Sequence, residues 1–260
     1  LFLTLLVISF KGGLPWLVLA LGGTPVFMLI LNGLVFFTLQ RQDLAPDFLK
    51  ISKPGMKRIL HGGLLFFVLQ IGVSVAYASD NIIIAKILGA DSVAQYSVIS
   101  KLFEGVLMVI GLTFAPLWPA YGEAKARGDR LWIKKMLARS MVTTLILVLT
   151  SAILLVAYYR PLLQLWVGSK HVFPFALVAW YAIWMVLKGL GGTYSMFLNG
   201  MNVMRFQLIV VTIFATISIL LKIFLVNKLG LTGIPIALAF TYACTVSAPY
   251  ILITNRVLKM

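Results

Sequence analysis

The chain contains seven apolar stretches, and each is long enough to cross a lipid bilayer as a helix. About 20 residues in an α-helix span the hydrocarbon layer, and backbone groups in lipid must find their hydrogen bonds within the segment. The stretches lie at 14–39, 60–88, 92–120, 137–159, 172–198, 206–227 and 231–255. The sequence therefore predicts an all-α fold, a polytopic bundle of membrane helices.

Composition agrees with this class and excludes several kinds of site. Of the residues, 61% are hydrophobic and 11% are charged, whereas about 25% of a soluble domain is charged. Cys244 is the single cysteine, and two scattered histidines accompany it, so neither an internal disulfide nor a metal site is expected. No cofactor is expected either. The net charge of +15 is spread over short loops, which does not indicate a nucleic-acid partner.

The basic residues indicate an orientation in the membrane. If loop 40–59 is cytoplasmic, 14 Lys and Arg residues lie on the cytoplasmic side and six lie outside. This bias predicts a cytoplasmic (inner) membrane protein whose C-terminus is cytoplasmic. Loop 121–135 carries much of the charge and also Trp132. We expect it either to lie against anionic lipid headgroups or to be a solvated loop that sets the topology.

Four charged residues fall inside the apolar stretches: Asp80, Lys101, Glu104 and Lys188. A charge in the bilayer almost always faces a bundle interior or water. Other polar residues lie on the same helix face as these charges, at helical spacing. Beside Asp80 these are Gln70, Ser74, Tyr77 and Asn81, and beside Lys101 and Glu104 it is Ser97. Beside Lys188 they are Tyr181, Trp184, Gly192, Ser195 and Asn199. Three polar faces predict a shared polar cavity that the four charged side chains line.

Simpler interpretations of these charges stay open. Lys101 and Glu104 are three residues apart and can neutralise each other. Asp80 can pair with Lys101 or Lys86 as a structural contact, and Lys222 is expected to extend to the outer end of its helix.

Lys188 has no acidic residue near it on its own helix, so it favours an anionic ligand. Tyr181 and Trp184, nearby, can stack on sugar rings or simply pack. The glycines of "KGLGG" (188–192) beside Lys188 also suggest a hinge or binding site. Two other glycine- and proline-containing stretches, 21–26 and 115–122, are better explained as packing kinks.

Residues 79–140 resemble a known family. "SDNIIIAKILGADSVAQYSVISKLFEG" begins at residue 79, "PLWPAYGEAKARGD" follows it, and "LNGMNVMRFQLIVV" occupies 198–211. Together they resemble the polysaccharide and O-antigen flippases of the multidrug/oligosaccharidyl-lipid/polysaccharide exporter superfamily. The resemblance implies two six-helix lobes around a central cavity, as in multidrug and toxin extrusion (MATE) transporters.

On this resemblance, 1–39 would be the last one and a half helices of an incomplete N-terminal lobe, 40–59 a cytoplasmic linker and 60–260 the C-terminal six-helix lobe. The chain opens with Leu1 inside an apolar run, so residues 1–10 are expected to be the end of a helix that begins upstream.

The resemblance also implies a substrate and a mechanism. A polyprenyl-pyrophosphate-linked oligosaccharide would cross the membrane by alternating access, for surface polysaccharide or lipopolysaccharide synthesis. Lys188 or Lys101 would hold the pyrophosphate, and Asp80 or Glu104 would carry a coupling proton or sodium ion. A polysaccharide polymerase or glycosyltransferase would be a partner.

Three alternatives compete with this interpretation. A multidrug extruder of the same superfamily would favour an acidic cavity. A flippase for a lipid-linked peptidoglycan precursor would have a cationic cavity similar to the one predicted here. A membrane-embedded enzyme would need paired acid and base groups, which are not evident in the sequence, so no enzymatic activity is expected. A purely structural membrane subunit would not need three polar stripes.

Overall fold

The computed structural model describes residues 13–45, 47, 52–168 and 173–259. The expected half helix at 1–10 lies outside the described residues. The helices are α1 Leu14–Val35, α2 Lys53–Leu88, α3 Ala90–Phe114, α4 Leu117–Ala126, α5 Arg130–Val167, α6 Phe175–Gly200, α7 Met204–Leu229, α8 Gly233–Tyr242 and α9 Ala248–Lys259. A π-helical turn, Phe36–Gln40, extends α1, and another, Ala243–Ser247, joins α8 to α9 without a break.

The chain divides into two units. We call Leu1–Leu60 the small unit and His61–Met260 the large unit. Within its described residues, the small unit contains α1 and a short 3₁₀ turn at Gln42–Leu44. Arg41 forms an ion pair of 2.7 Å with Asp43 in that turn. The large unit contains helices α3 to α9 and most of α2. The assignment of these parts to two lobes stays a prediction.

Six helical segments of the described residues are long and apolar enough to cross a membrane. The last of them, Met204–Lys259, is divided at Gly230 into α7 and the continuous rod of α8 and α9, which pack together. Within the described residues, each of the seven predicted spans therefore falls on helical structure, although span 92–120 is divided into α3 and α4. The all-α polytopic fold is confirmed, and α2 and α5 extend several residues beyond the predicted bounds.

The helix ends follow local sequence signals. Gly89 separates α2 from α3 with φ of +89°, a conformation that glycine adopts without strain. The carboxylate of Asp129 accepts a hydrogen bond of 3.0 Å from the backbone N–H of Trp132 and so caps α5. Asn202, with φ of +60°, makes the turn between α6 and α7.

The helices pass through two of the three glycine- and proline-containing stretches without a break. Pro25 lies inside α1, and 188–192 lies inside α6, whereas the chain does turn at Ala115 and Pro116 between α3 and α4. The hinge expected at "KGLGG" is therefore not seen.

Close packing explains two of the three "KGLGG" glycines, whereas a Cβ on Gly192 would meet no atom within 4 Å. A Cβ on Gly189 would lie 2.6 Å from Cγ1 of Val148, and one on Gly191 would overlap the Tyr242 hydroxyl. Small residues at helix contacts allow such approach in membranes, and α6 is the central helix of the large unit, in contact with α3, α4, α5 and α8.

Candidate functional site

A cavity of about 320 Å³ opens in the large unit beside α6. Helices α2, α3, α6 and α7 and the rod of α8 and α9 contribute to its wall. Its polar lining residues are Gln70, Tyr77, Lys188, Thr193, Ser195, Asn199, Gln207, Tyr242 and Tyr250. Its apolar wall includes Leu107, Ile110, Phe114 and Val246. We call this space the polar cavity.

Lys188 supplies the charge of the polar cavity, since no carboxylate belongs to its described lining. The ammonium lies 4.4 Å from the centre of the Tyr77 ring, a cation–π contact. Its distance to Oε1 of Glu104 is 3.4 Å, longer than the 2.7–2.9 Å or so of a strong charge-assisted bond. The pairing is therefore loose, and the ammonium can accept a second anionic partner.

Hydrogen-bonding groups of the polar cavity are held in place by their neighbours. The Gln207 amide, 1% exposed, donates a hydrogen bond of 2.8 Å to Oδ1 of Asn199 across the turn between α6 and α7. Behind the wall, the hydroxyls of Thr144 and Thr193 lie 2.8 Å apart and join α5 to α6. Fixed amides and hydroxyls of this kind suit a ligand with many hydroxyl groups.

A second charged group is buried away from the cavity. Oδ1 of Asp80 lies 2.6 Å from Nζ of Lys222, and the Tyr96 hydroxyl donates a bond of 2.9 Å to Oδ2. The Lys222 ammonium also donates to the carbonyl of Ala76 at 2.5 Å and to Oγ of Ser79 at 3.2 Å. Oδ1 makes no well-directed hydrogen bond, so we treat its contact with Lys222 as charge pairing. This network links α2, α3 and α7.

The structure corrects the expectation that four charged side chains face one cavity. Of these, Lys188 alone lines the polar cavity. Asp80 is enclosed with Lys222, so neither Lys101 nor Lys86 is its partner, and Lys222 does not extend to the helix end because that ion pair holds it inside. Glu104 is exposed and pairs with Lys188, so the pairing with Lys101 was also wrong. Lys101 is exposed.

Tyr181 and Trp184 are packed side chains in the large unit. Tyr181 is 3% exposed and lies against the rings of Tyr96 and Phe103, with centroids 5.8 and 5.2 Å away. Trp184 is 1% exposed, and its ring contacts Tyr242 at 5.2 Å. Neither ring belongs to the described lining of the polar cavity. Their use in stacking on sugars stays a prediction that this packing does not favour.

Sequence reasoning missed Lys222 as a partner of Asp80 and Gln207 as a cavity residue. A signal was present, because Gln207, Val211, Phe214, Ser218 and Lys222 follow one another by four, three, four and four residues. Such spacing places them on one face of a helix, and all five are buried in α7. A buried face that includes a lysine requires an acidic partner on another helix. Among the residues that the structure describes, no cluster of three or more metal-ligating side chains occurs.

Comparison with known proteins finds a matching family model and a curated relative. The polysaccharide biosynthesis protein family matches residues 1–125. A curated relative from Salmonella typhimurium (strain LT2), named for O-antigen transport, is 23% identical over 201 residues, which cover 76% of this chain and 46% of the relative. Over residues 1–125, somewhat less than half of its length, the chain is therefore similar to this family. The chain spans less than half the length of this relative, whose name describes a transporter.

Two solved structures share the fold of this chain. A MATE transporter crystallised with MaL6 superposes with a TM-score of 0.75 at 16% identity, over 99% of this chain and 59% of the other. An outward-facing multidrug resistance MATE family transporter gives 0.72 at 16% identity, over 94% and 56%. The MATE-like architecture implied by the sequence resemblance is therefore confirmed, and the protein is a multi-pass membrane protein.

Proposed function

We propose that the protein is part of a flippase that moves a polyprenyl-pyrophosphate-linked oligosaccharide across the cytoplasmic membrane by alternating access. The observation that carries this proposal is the polar cavity, whose charged lining residue is a lysine among amides and hydroxyls. The oligosaccharide would use the hydroxyls and amides, and the prenyl tail would stay in lipid. No covalent step is needed.

The position of Lys188 supports a role in holding the pyrophosphate. Its ammonium lies between the Tyr77 ring and a Glu104 carboxylate 3.4 Å away. A phosphate oxygen is a stronger acceptor at shorter range, since charge-assisted bonds to phosphate are among the strongest in proteins. Lys101 was the other candidate for this role, but it is exposed and outside the described cavity lining.

A cation-coupled multidrug extruder is the second candidate, because both solved structures with this fold are MATE transporters. Their identity of 16% supports the fold alone. An exporter of organic cations would need negative charge in its cavity, whereas the charge in the polar cavity is positive. The flippase function is therefore the better supported of the two.

We further propose that a proton or sodium ion couples transport to the membrane gradient through Glu104 and not Asp80. Asp80 already has a buried lysine and a tyrosine hydroxyl as partners, whereas the side chain of Glu104 is 49% exposed. We also expect the cytoplasmic face to contact a glycosyltransferase or polysaccharide polymerase that supplies or uses the oligosaccharide.

The flippase proposal is tested in a strain that lacks the chromosomal gene and carries variants on a plasmid. Lys188→Met should remove most surface polysaccharide and accumulate lipid-linked oligosaccharide in the cytoplasmic leaflet, while Lys188→Arg should restore part of it. Lys86→Met is the matched control, since Lys86 is exposed near the end of α2 and outside the described cavity lining.

Two outcomes would contradict the proposal, provided that the variants reach the membrane in normal amounts. Full surface polysaccharide in the Lys188→Met strain would exclude the headgroup role of Lys188. Loss of resistance to cationic dyes in the deletion strain, with normal polysaccharide, would favour the multidrug extruder.

A further inference from the structure

A second cavity, of about 350 Å³, lies at one end of the large unit. It forms where the turn between α4 and α5, the turn between α6 and α7 and the last residues of α9 meet. We call it the basic crevice and define it by Lys125, Gly128, Arg130, Ile133, Met201, Val203, Val257 and Leu258. It is separate from the polar cavity and shares no lining residue with it.

The basic crevice combines two cations with an aliphatic wall. Lys125 and Arg130 lie on it together with Ile133, Val203 and Leu258. The ammonium of Lys125 donates a hydrogen bond of 2.7 Å to the carbonyl of Met201. This bond fixes the ammonium at the crevice and uses one of its three donors, so two remain for a ligand.

Nearby carboxylates are engaged with other groups. Glu123 pairs with Arg127 at 2.5 Å, and Asp129 accepts the backbone N–H of Trp132 as the cap of α5. Lys134 and Lys135, both exposed, follow on the same helix. The surroundings are therefore net positive, and an anionic group is favoured there.

The crevice lies where membrane helices end, which limits the choice of ligand. It is bounded by the start of α5 and the ends of α6 and α9, all of which belong to segments able to span the bilayer. The ends of such helices lie at the level of the lipid headgroups. A soluble anion would not use the aliphatic wall, whereas a phospholipid supplies both a phosphate and acyl chains.

We propose that the basic crevice binds one anionic phospholipid of the surrounding membrane. The phosphate would lie between Lys125 and Arg130, and the first carbons of an acyl chain would pack on Ile133, Val203 and Leu258. Sequence alone left two interpretations of loop 121–135 open, attraction to anionic headgroups or a solvated loop that sets the topology. The crevice specifies a site, and its occupancy would link α5, α6 and α9 without any part in transport chemistry.

The test measures how many lipid molecules stay bound to the purified protein in detergent, by native mass spectrometry. Phosphatidylglycerol, phosphatidylcholine and inorganic phosphate are added in separate experiments. We expect one phosphatidylglycerol to bind roughly tenfold more tightly than phosphatidylcholine, and no retention of phosphate; tenfold corresponds to about 1.4 kcal/mol.

Matched variants separate the crevice from general electrostatics. Lys125→Met with Arg130→Gln should abolish the preference for phosphatidylglycerol. Lys134→Gln with Lys135→Gln removes the same charge from exposed positions of α5 outside the crevice lining, and should keep the preference. Leu258→Asn should weaken retention of both lipids by removing an aliphatic contact.

Three results would overturn the proposal. If both double variants lost the preference for phosphatidylglycerol equally, the attraction would be diffuse. Equal retention of the two phospholipids by the unmodified protein would exclude a headgroup site. Retention of inorganic phosphate would mean a simple anion site. Arg130→Gln alone leaves the Lys125 hydrogen bond intact, so it provides the same comparison if the double variant does not fold.

Discussion

Two lysine–carboxylate pairs in the large unit differ in almost every physical respect. Asp80 and Lys222 are 2.6 Å apart, with side chains 9% and 0% exposed. Glu104 and Lys188 are 3.4 Å apart, with side chains 49% and 24% exposed. The first pair has further hydrogen-bond partners on α2 and α3, whereas the second lies beside an open cavity.

The difference indicates separate roles for the two pairs. Removing one partner of a buried pair leaves an uncompensated charge, while an exposed pair contributes little to stability. The buried pair therefore holds α2, α3 and α7 together, and the open pair is available for a ligand. A charge inside a membrane segment does not by itself identify a transport site. Its exposure and its partners determine whether it is available to a ligand or holds helices together.

The largest expected effect comes from breaking the buried pair. Lys222→Met leaves Asp80 charged and enclosed, which should cost about 3–5 kcal/mol of stability. The loss of stability is measured as a lower melting temperature of the purified protein in detergent, determined by size-exclusion chromatography of heated samples. Asp80→Leu with Lys222→Met removes both charges and should recover most of it. A double variant as unstable as the single one would show that the pairing is not what stabilises these helices.

Tyr96→Phe tests the same network more gently. It removes the hydroxyl that donates to Asp80 at 2.9 Å, and hydrogen bonds to charged groups contribute about 1.5–3 kcal/mol. A fall in melting temperature is expected, while Tyr158→Phe, at a position 59% exposed, should leave it unchanged. Equal behaviour of the two variants would mean that the Tyr96 hydroxyl contributes nothing.

Exchanging the charges of the open pair sharpens the contrast. Glu104→Lys with Lys188→Glu should change stability by less than about 1 kcal/mol, because exposed pairs are weak. Surface polysaccharide should nevertheless be lost, since the cation no longer lines the polar cavity. The same exchange in the buried pair, Asp80→Lys with Lys222→Asp, should instead lower the melting temperature, because these side chains are enclosed. If the variant with Glu104 and Lys188 exchanged were stable and still produced surface polysaccharide, the pyrophosphate would have to bind elsewhere.

The smallest effect is expected at Lys101, which is exposed and makes no ion pair among the described residues. Lys101→Ala should change stability by no more than about 0.5 kcal/mol, and surface polysaccharide should stay at the wild-type amount. Loss of polysaccharide at an unchanged melting temperature would show that Lys101 does take part in binding the substrate.

The membrane fold was predictable because helix length and apolar content are local properties. The seven spans needed only consecutive residues. The partners of the charges were not predictable in this way, because Asp80 and Lys222 are 142 positions apart and meet through the packing of α2 on α7. Helical spacing placed Gln70, Tyr77, Ser195 and Asn199 on polar faces, and these do line the polar cavity.

The aromatic residues show a second limit of sequence reasoning. Tyr181 and Trp184 lie on the same face of α6 as Lys188, yet bulky neighbours, among them Phe103 and Tyr242, cover both rings. Sequence spacing fixes the direction of a side chain from its helix axis but not what another helix places against it.

The π-helical turn Ala243–Ser247 determines which side chains of the last rod face the polar cavity. An α-helix has 3.6 residues per turn, so positions four apart drift around its axis. The wider π-turn offsets this drift, and Tyr242, Val246 and Tyr250, each four residues from the next, all reach the cavity wall. Deleting a single residue there, such as the exposed Cys244, would shift the phase of every later position and rotate the tyrosine at the far end out of contact.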